Sequence, residues 1–431
     1  MAQRPRPRRR ARVPRLTVDL SALRSSRELR WLVLGNFVSG LGTQAGLVAL
    51  PYQIYIETRS ALLTGLLGAA ELVPLVAMAL LGGALADRMD RRRLLALDQI
   101  GLVAIPAALF AAAVAGSPPL VVLYVLGGLL AGFGALQNVA RSAIVPNLVA
   151  REEMPAALAV NFGLYQLTMV FGPGFGGLLI AGAGVAGAYA ADALSCLAMV
   201  AALRHISPQL PQRKGEPLAI GRSISEGLRF VRRSPALLGS FAIDLSAMTF
   251  GMPRALFPVL AVSVYGAGAS GTGLLFAAVS AGAAVAALTT RWLDHVRRLG
   301  LITIAAVCAW GLAIAGAGLV SSLWPAAALL AVAGAADSIS AVCRSVINQS
   351  VTPDALRGRM SSVFSLVVTS GPRLGDIEAG AVASLASPRF SVTSGGLACV
   401  AGAVLIAAAF PQLARYDKDA AIARSAAAEG G

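Results

Sequence analysis

Long runs of apolar residues separated by short polar segments dominate the chain from Trp31 to Leu413. A helix that crosses the hydrocarbon core of a bilayer needs about 20 predominantly apolar residues. Twelve stretches reach this length, which predicts an all-α integral membrane protein with twelve transmembrane helices. The predicted spans are Trp31 to Ile56, Ala61 to Ala86, Leu94 to Ala115, Leu120 to Ala140, Met154 to Ala181, Gly184 to Leu203, Ala236 to Val262, Thr272 to Leu293, Leu299 to Val320, Trp324 to Cys343, Met360 to Ala386 and Val392 to Leu413.

One long polar segment, Arg204 to Ser234, interrupts this series midway. Inside it, apolar residues recur at helical spacing from Ile220 to Val231 with arginines between them. This pattern predicts an amphipathic helix on the membrane surface, with a plain domain linker as the alternative. The predicted organisation is a basic tail (1–30), a six-helix half (31–203), a linker (204–234), a second six-helix half (235–413) and a tail (414–431).

The overall composition excludes an ordinary soluble domain, since 57% of residues are hydrophobic, 13% are charged and the mean hydropathy is +0.73. The net charge of +15 would suggest nucleic acid in a soluble protein. Here 32 of the 36 basic residues fall in alternate loops, when Arg141 and Arg344 are placed at the loop ends of spans 4 and 10. The positive-inside rule then predicts that both termini are cytoplasmic and that the partner is the lipid bilayer, with no nucleic acid.

The four cysteines lie in apolar stretches without C-x-x-C spacing or histidine partners, so we expect no disulfide, no metal site and no cofactor.

A cluster of charges follows span 2, in the segment from Gly83 to Arg93. Its pattern, G-x-L-A-D-R-x-x-R-R, resembles the loop between spans 2 and 3 of major facilitator transporters. The resemblance implies a gating loop, in which a charge-dependent latch connects the two domains. Asp90 stands where that family usually has glycine, and a simple positive-inside anchor is the alternative interpretation. The residues assigned to this gating loop are Gly83, Asp87, Arg88, Arg91 and Arg92.

The two halves of the chain resemble each other. The segment that starts at Thr64-Gly65-Leu66-Leu67 returns 208 positions later at Thr272-Gly273-Leu274-Leu275, and Arg141-Ser142 returns as Arg344-Ser345. Two parallel six-helix repeats are typical of the major facilitator fold.

Span 5 contains the glycine-rich motif Gly172, Pro173, Gly176 and Gly177. A dinucleotide-binding loop would require a preceding strand, which an apolar span does not supply. The G-P-x-x-G-G pattern resembles the exporter motif of drug:proton antiporters in the same superfamily. Close packing of helices through glycine is the alternative role.

Ionisable residues inside apolar spans are costly and suggest function. Glu71 in span 2 and Arg373 in span 11 both approach the middle of the membrane when counted at about 1.5 Å per residue. Spans 2 and 11 are neighbours in the fold that the chain resembles, so we predict an ion pair between the halves. Asp376 lies three residues after Arg373, which leaves a pair within one helix as the alternative.

Asp337 and Asp244 lie in spans 10 and 7, which line the central cavity of this superfamily. They are the candidate sites for a coupling proton or cation, with buried hydrogen-bonded carboxylates as the alternative. Arg254, also in span 7, is a candidate for attracting an anionic solute. Further candidate polar groups for the cavity are Asn36, Gln44, Gln53, Gln137, Asn138, Tyr165 and Gln166.

From Trp31 to Leu413 the chain resembles the enterobactin-exporter branch of the major facilitator superfamily. Besides the gating loop, the resemblance rests on the segments from Phe257 to Ala261 and from Thr352 to Arg359. It implies a monomeric transporter of the plasma (inner) membrane that exports a small amphipathic molecule (a siderophore, drug or secondary metabolite) by proton antiport and alternating access. Gly128 stands where many proton-coupled members have arginine.

An importer or facilitator of the same fold is the main alternative, since sequence does not display the direction of transport. A membrane-embedded hydrolase is a remote one. Neither histidine lies in an apolar span, and Arg373 stands where a G-x-G-D aspartyl protease needs glycine. We therefore predict that the chain is not an enzyme.

Overall fold

The computed structural model describes residues 21–144, 148–150, 153–208, 220–352 and 356–417, and the regular secondary structure of these residues is helical. In an apolar solvent each backbone N–H and C=O group must bond within its own segment, which a helix achieves. The helices are α1 (Ser21–Ser25), α2 (Arg27–Thr58), α3 (Ala61–Arg88), α4 (Arg91–Val114), α5 (Leu120–Ile144), α6 (Met154–Leu203), α7 (Ile220–Arg233), α8 (Pro235–Phe250), α9 (Leu256–Val259), α10 (Gly268–Thr289), α11 (Leu299–Leu319), α12 (Leu323–Val351), α13 (Arg357–Leu385), α14 (Pro388–Ala409) and α15 (Pro411–Ala414).

The helices form two groups, one built from α2 to α6 and the other from α8 to α14. Nine helices within the described residues are long and apolar enough to cross a membrane. Large apolar side chains such as Val73, Leu288 and Leu385 remain 72%, 79% and 88% exposed. Such exposure suits a surface that faces lipid. The integral membrane, all-α class predicted from the sequence is confirmed.

Several helices begin at a side chain that bonds their first free N–H groups. Ser26 accepts a hydrogen bond from the Leu29 N–H at 3.1 Å, and Ser60 accepts one from Leu63 at 3.3 Å. The predicted division between spans 5 and 6 appears inside α6, where Gly184 has φ of 70° and interrupts the helical backbone. Glycine adopts this left-handed conformation without a steric penalty.

The gating turn is shorter than predicted. Helix α3 continues to Arg88, so only Met89 and Asp90 separate it from α4. The Asp90 carboxylate accepts a hydrogen bond from the Arg92 N–H at 2.9 Å. Asp90 therefore caps α4, which explains an aspartate where the resemblance suggests glycine. The side chains of Gly83, Asp87 and Arg88 lie outside the described part of the structure.

The prediction of a continuous span 7 is wrong. Helix α8 ends at Phe250, and the chain resumes as α9 followed by a π-helical turn, Leu260–Val264. Pro253 lies in the break, and proline both lacks an N–H group and disfavours helix at the preceding residue. Two side chains bond the backbone groups that the break exposes. The Asp376 carboxylate accepts from the Ala255 N–H, and the Trp310 indole donates to the Gly251 carbonyl, both at 2.8 Å.

The amphipathic helix predicted in the linker is present as α7. Its Val231 is buried in a cluster with Leu237, Phe241 and Met360, so the end of α7 packs against the second half. Residues 209–219 of the linker lie outside the described residues, as do 1–20 and 418–431 of the predicted tails. The position of α7 on a membrane surface stays a prediction.

The two halves touch along two seams of small residues. We call the end of the molecule that carries α7 the linker end, and the opposite end the far end. A Cβ atom added to Gly65 would lie 2.9 Å from the Cα of Gly380, and one added to Gly177 would lie 2.8 Å from the Cα of Gly273. Both contacts fall in the far-end portion of their helices. Only glycine permits backbones to approach so closely.

Two glycines toward the linker end have open space beside them. A Cβ atom added to Gly134 or Gly163 would meet no other described atom within 4 Å. These glycines lie in α5 and in the first part of α6. Among the described residues, the halves are in close backbone contact at the far end, and a cavity extends between them toward Arg141 and Asn161 near the linker end.

Candidate functional site

A cavity of ≈ 360 Å³ lies between the two halves. It extends from Arg141 and Asn161, near the linker end, to Pro51 and Arg254 in the far portion. Apolar side chains form much of its wall, including Phe37, Leu164, Phe257 and Phe276. A concave apolar site with a few convergent polar groups is typical of a small-molecule site.

Among the described residues, four charged residues line this cavity: Glu71, Arg141, Arg254 and Arg373. The Arg373 Nε atom lies 2.8 Å from a Glu71 carboxylate oxygen, and the two side chains are 19% and 17% exposed. This ion pair joins the two halves, since Glu71 belongs to α3 and Arg373 to α13. The predicted contact between Glu71 and Arg373 is confirmed. Asp376, the alternative partner, instead bonds the broken backbone of span 7.

Arg254 lies in the break of span 7 and reaches the cavity beside Arg373. Its guanidinium makes no hydrogen bond or ion pair with another described residue. The far portion of the cavity therefore contains a partly buried arginine that has no ion-pair partner among the described residues.

Asp244 and Asp337 do not line the cavity, although the sequence placed them there. Asp244 forms a buried ion pair with Arg344, each side chain being 1% exposed. Asp337 is 22% exposed, and one of its oxygens lies 3.9 Å from the same guanidinium. It lines a small adjoining pocket that also contains Arg254 and Phe257. One arginine thus lies between two carboxyl groups.

The placement of Arg344 in a cytoplasmic loop is wrong. Helix α12 continues to Val351, and Arg344 is among the largest fully buried side chains. Arg141 lies inside α5 and lines the cavity, with its guanidinium 5.9 Å from the centre of the Tyr165 ring. A basic residue at the end of an apolar run suits a loop and a buried ion pair equally well, so the sequence carried no signal to separate them.

Sequence reasoning also missed Asp98, which is fully buried in α4 beside Gln99. Among the candidate polar groups, Asn36, Gln44, Gln137, Asn138 and Tyr165 line the cavity. Gln53 does not line it, because it bonds Glu57 and Tyr189, and Gln166 is also absent from the lining. Asn36 is 7% exposed, and neither polar atom of its side-chain amide has a hydrogen-bond partner.

The span-5 motif packs against both halves. Cβ atoms added to Gly172 and Gly176 would lie 2.6 Å from Gln44 and Ala45 of α2. Gly177 faces Gly273 of α10 across the far-end seam, and Pro173 lines the cavity. The motif therefore connects the cavity to the contact that closes the far end.

Residues 18–428 match the transmembrane secretion effector family of major facilitator proteins. The chain belongs to this family. Among its relatives are the enterobactin exporters EntS of Shigella boydii and Citrobacter koseri. Each is 31% identical to this transporter over 93% of the chain and 95% of the relative. The match covers the cavity and both halves, and it supports the prediction of a transporter and not an enzyme.

Solved structures share the fold of this secretion effector. The nucleoside transporter NupG aligns with a TM-score of 0.70 at 12% identity, over 90% of this chain and all (100%) of NupG. A bacterial homologue of the iron transporter ferroportin, solved in an inward-facing state, aligns with a TM-score of 0.65 at 17% identity over 90% of this chain and 98% of the homologue. The major facilitator fold inferred from the repeats is thereby confirmed.

Proposed function

We propose that this transporter exports a small amphipathic molecule, of the catecholate siderophore type or a related secondary metabolite, from the cytoplasm. The observation that carries the proposal is the cavity between the halves, which is bordered by close backbone contacts at the far end and extends toward the linker end. Its mixed apolar and polar lining suits an amphipathic solute. The choice of a siderophore as the transported molecule rests on the relatives, which are named enterobactin exporters.

The proposed topology has twelve membrane crossings, with both termini and the linker end in the cytoplasm of a cell with a plasma (inner) membrane. The halves 31–203 and 235–413 rock about the cavity as a monomer. The resolved closure of the far end then corresponds to the state that loads substrate from the cytoplasm. Parallel repeats around a midplane site support this form of alternating access.

Coupling to a proton gradient is assigned to Asp244, Arg344 and Asp337. Two carboxyl groups and one guanidinium lie together in an apolar interior, and a proton on either carboxyl changes which ion pair the arginine makes. Arg344 and Asp337 belong to α12 and Asp244 to α8, so this change alters the contact between two helices of the second half. The Asp87 and Arg88 latch and the kinked span 5 limit leakage in this account.

Uptake of enterobactin into inside-out membrane vesicles tests the proposal. Vesicles that contain the wild-type chain are expected to accumulate enterobactin when their interior is acidic. Accumulation is expected to collapse with the pH gradient and with Asp337→Asn, whereas Glu378→Gln serves as the control because Glu378 faces no charged group of the cluster.

Export without dependence on the gradient would support a facilitator and refute proton antiport. Movement only in the opposite direction would support an importer of the same fold. No movement of enterobactin in any condition would refute the assigned substrate class.

A further inference from the structure

The far portion of the cavity carries more positive than negative charge. Of the four charged residues that line the whole cavity in the described part of the chain, three are arginines, and the single carboxylate, Glu71, is already paired with Arg373. Arg141 lies near the linker end, whereas Arg254 and Arg373 lie close enough together for their charges to repel. Like charges held together away from water need a compensating group.

The break in span 7 does not require the charge of Arg254. The exposed backbone groups of the break are bonded by Asp376 and Trp310, and the Arg254 side chain takes no part. Asp376 and Asp337 attract Arg254 electrostatically, but neither forms an ion pair with it and neither lines the cavity. Arg254 therefore belongs to the cavity wall and has no ion-pair partner among the described residues.

We propose that Arg254 and Arg373 form a subsite for an anionic group of the transported molecule. This inference rests on the proposed function, and it narrows the substrate class from amphipathic molecules in general to amphipathic anions. A guanidinium presents paired N–H donors that fit a carboxylate or a phosphate. The phenyl rings of Phe257 and Phe276 in the same wall suit the apolar part of such a molecule.

Glu71 is an internal competitor for this subsite. Its carboxylate occupies Arg373, and the charged groups that face it are Arg373, Arg254 and Asp376. An anion that binds Arg373 shares the guanidinium with the Glu71 carboxylate and is repelled by it, so neutralising Glu71 favours the anion. An antiported proton must instead oppose the binding of substrate. The proton that drives export is therefore not carried by Glu71.

Binding of paired probes to the purified full chain in nanodiscs tests the subsite by calorimetry. The probes are 2,3-dihydroxybenzoate, its neutral analogue 2,3-dihydroxybenzamide, and phenyl phosphate. We expect Arg254→Gln to raise the dissociation constant of 2,3-dihydroxybenzoate by at least about tenfold, since loss of one partner of a desolvated charge pair is costly. The amide should bind within about twofold of wild type, because it carries no charge to lose.

Two further variants keep the test specific. Arg254→Lys retains the charge and should retain the preference for the anion. Glu71→Gln should lower the dissociation constant of the anion by about threefold to tenfold and leave that of the amide unchanged. The exposed Arg298→Gln is the control for loss of one positive charge elsewhere. Preferential binding of phenyl phosphate would identify the group as phosphate instead of carboxylate.

Equal losses for the anion and the amide in Arg254→Gln would overturn the subsite, as would failure of both anions to bind the wild type. A loss confined to the anions, in a chain whose vesicles do not transport enterobactin, would leave the subsite standing and refute only the siderophore assignment.

Discussion

Arg344 contacts two carboxyl groups, and the two contacts differ in distance and in burial. Asp244 is as deeply buried as the arginine and forms the closer contact, whereas Asp337 is partly exposed and 3.9 Å away. Removing one partner of a buried ion pair leaves a charge without compensation, which is more damaging than never having had the pair. The same arginine thus holds Asp244 in a close buried pair and makes only a weak contact with Asp337.

This difference predicts a large loss of stability for one substitution and a small change for a similar one. Asp244→Asn is expected to lower the free energy of unfolding by about 3–5 kcal/mol, because Arg344 remains buried without its main partner. Asp337→Asn is expected to change it by less than about 1 kcal/mol, as is usual for a weak, partly exposed pair. Thermal denaturation of the purified variants in detergent measures both, and equal melting temperatures would contradict the assignment.

The sequence predicted the Glu71 and Arg373 pair but not the Arg344 cluster, for a physical reason. Glu71 and Arg373 lie far from the ends of their spans, so counting residues along each helix placed both at a similar depth. Arg344 follows the last residues of an apolar run, where basic residues normally face cytoplasm. Arg344 is instead buried against Asp244, which lies 100 positions earlier in the chain, so no local pattern indicates the contact.

At the scale of the helices, the far end is held shut by glycine contacts in spans 2, 5, 8 and 11. The Gly177 and Gly273 backbones meet so closely that no side chain fits between them. Gly182, five residues further along the same helix, has no atom within 4 Å of an added Cβ. These two glycines make a matched pair for testing the seam.

Gly177→Val is expected to force the far ends of the halves apart, since overpacking a close contact costs about 1–3 kcal/mol. Spin labels at Arg59→Cys and Ser322→Cys, one in each half at the far end, report the separation by electron resonance. We expect longer distances in Gly177→Val and wild-type distances in Gly182→Val. Unchanged distances in both variants would show that this contact does not control closure.

The helices show where sequence patterns stop being informative. Apolar length identified the spans, and the glycine at position 184 marked the division of α6. Span 7 read as continuous because hydropathy does not register a proline, although Pro253 was the available signal for a break. What fills the break depends on Trp310 and Asp376, which belong to other helices.

At the scale of the whole molecule, repeats within the sequence were enough to predict two halves with a site between them. They do not say which end is open, because that depends on contacts between the halves. The proposed sidedness has a direct check at Gly163, which faces open space toward the linker end.

In a chain whose four cysteines are replaced, Gly163→Cys should react with a membrane-impermeant thiol reagent applied to inside-out vesicles, and not when it is applied to intact cells. Arg59→Cys, exposed at the far end, should show the reverse pattern. Labelling of Gly163→Cys only from outside the cell would invert the proposed topology.

We expect this chain alone to move a small amphipathic molecule out of the cytoplasm at the expense of a proton gradient. Purified protein in liposomes, with enterobactin outside and a lumen made acidic, tests it most directly. We expect accumulation in the lumen that is abolished by a protonophore and reduced by Asp337→Asn. Accumulation that is equal with and without the gradient, or equal in liposomes without protein, would contradict it.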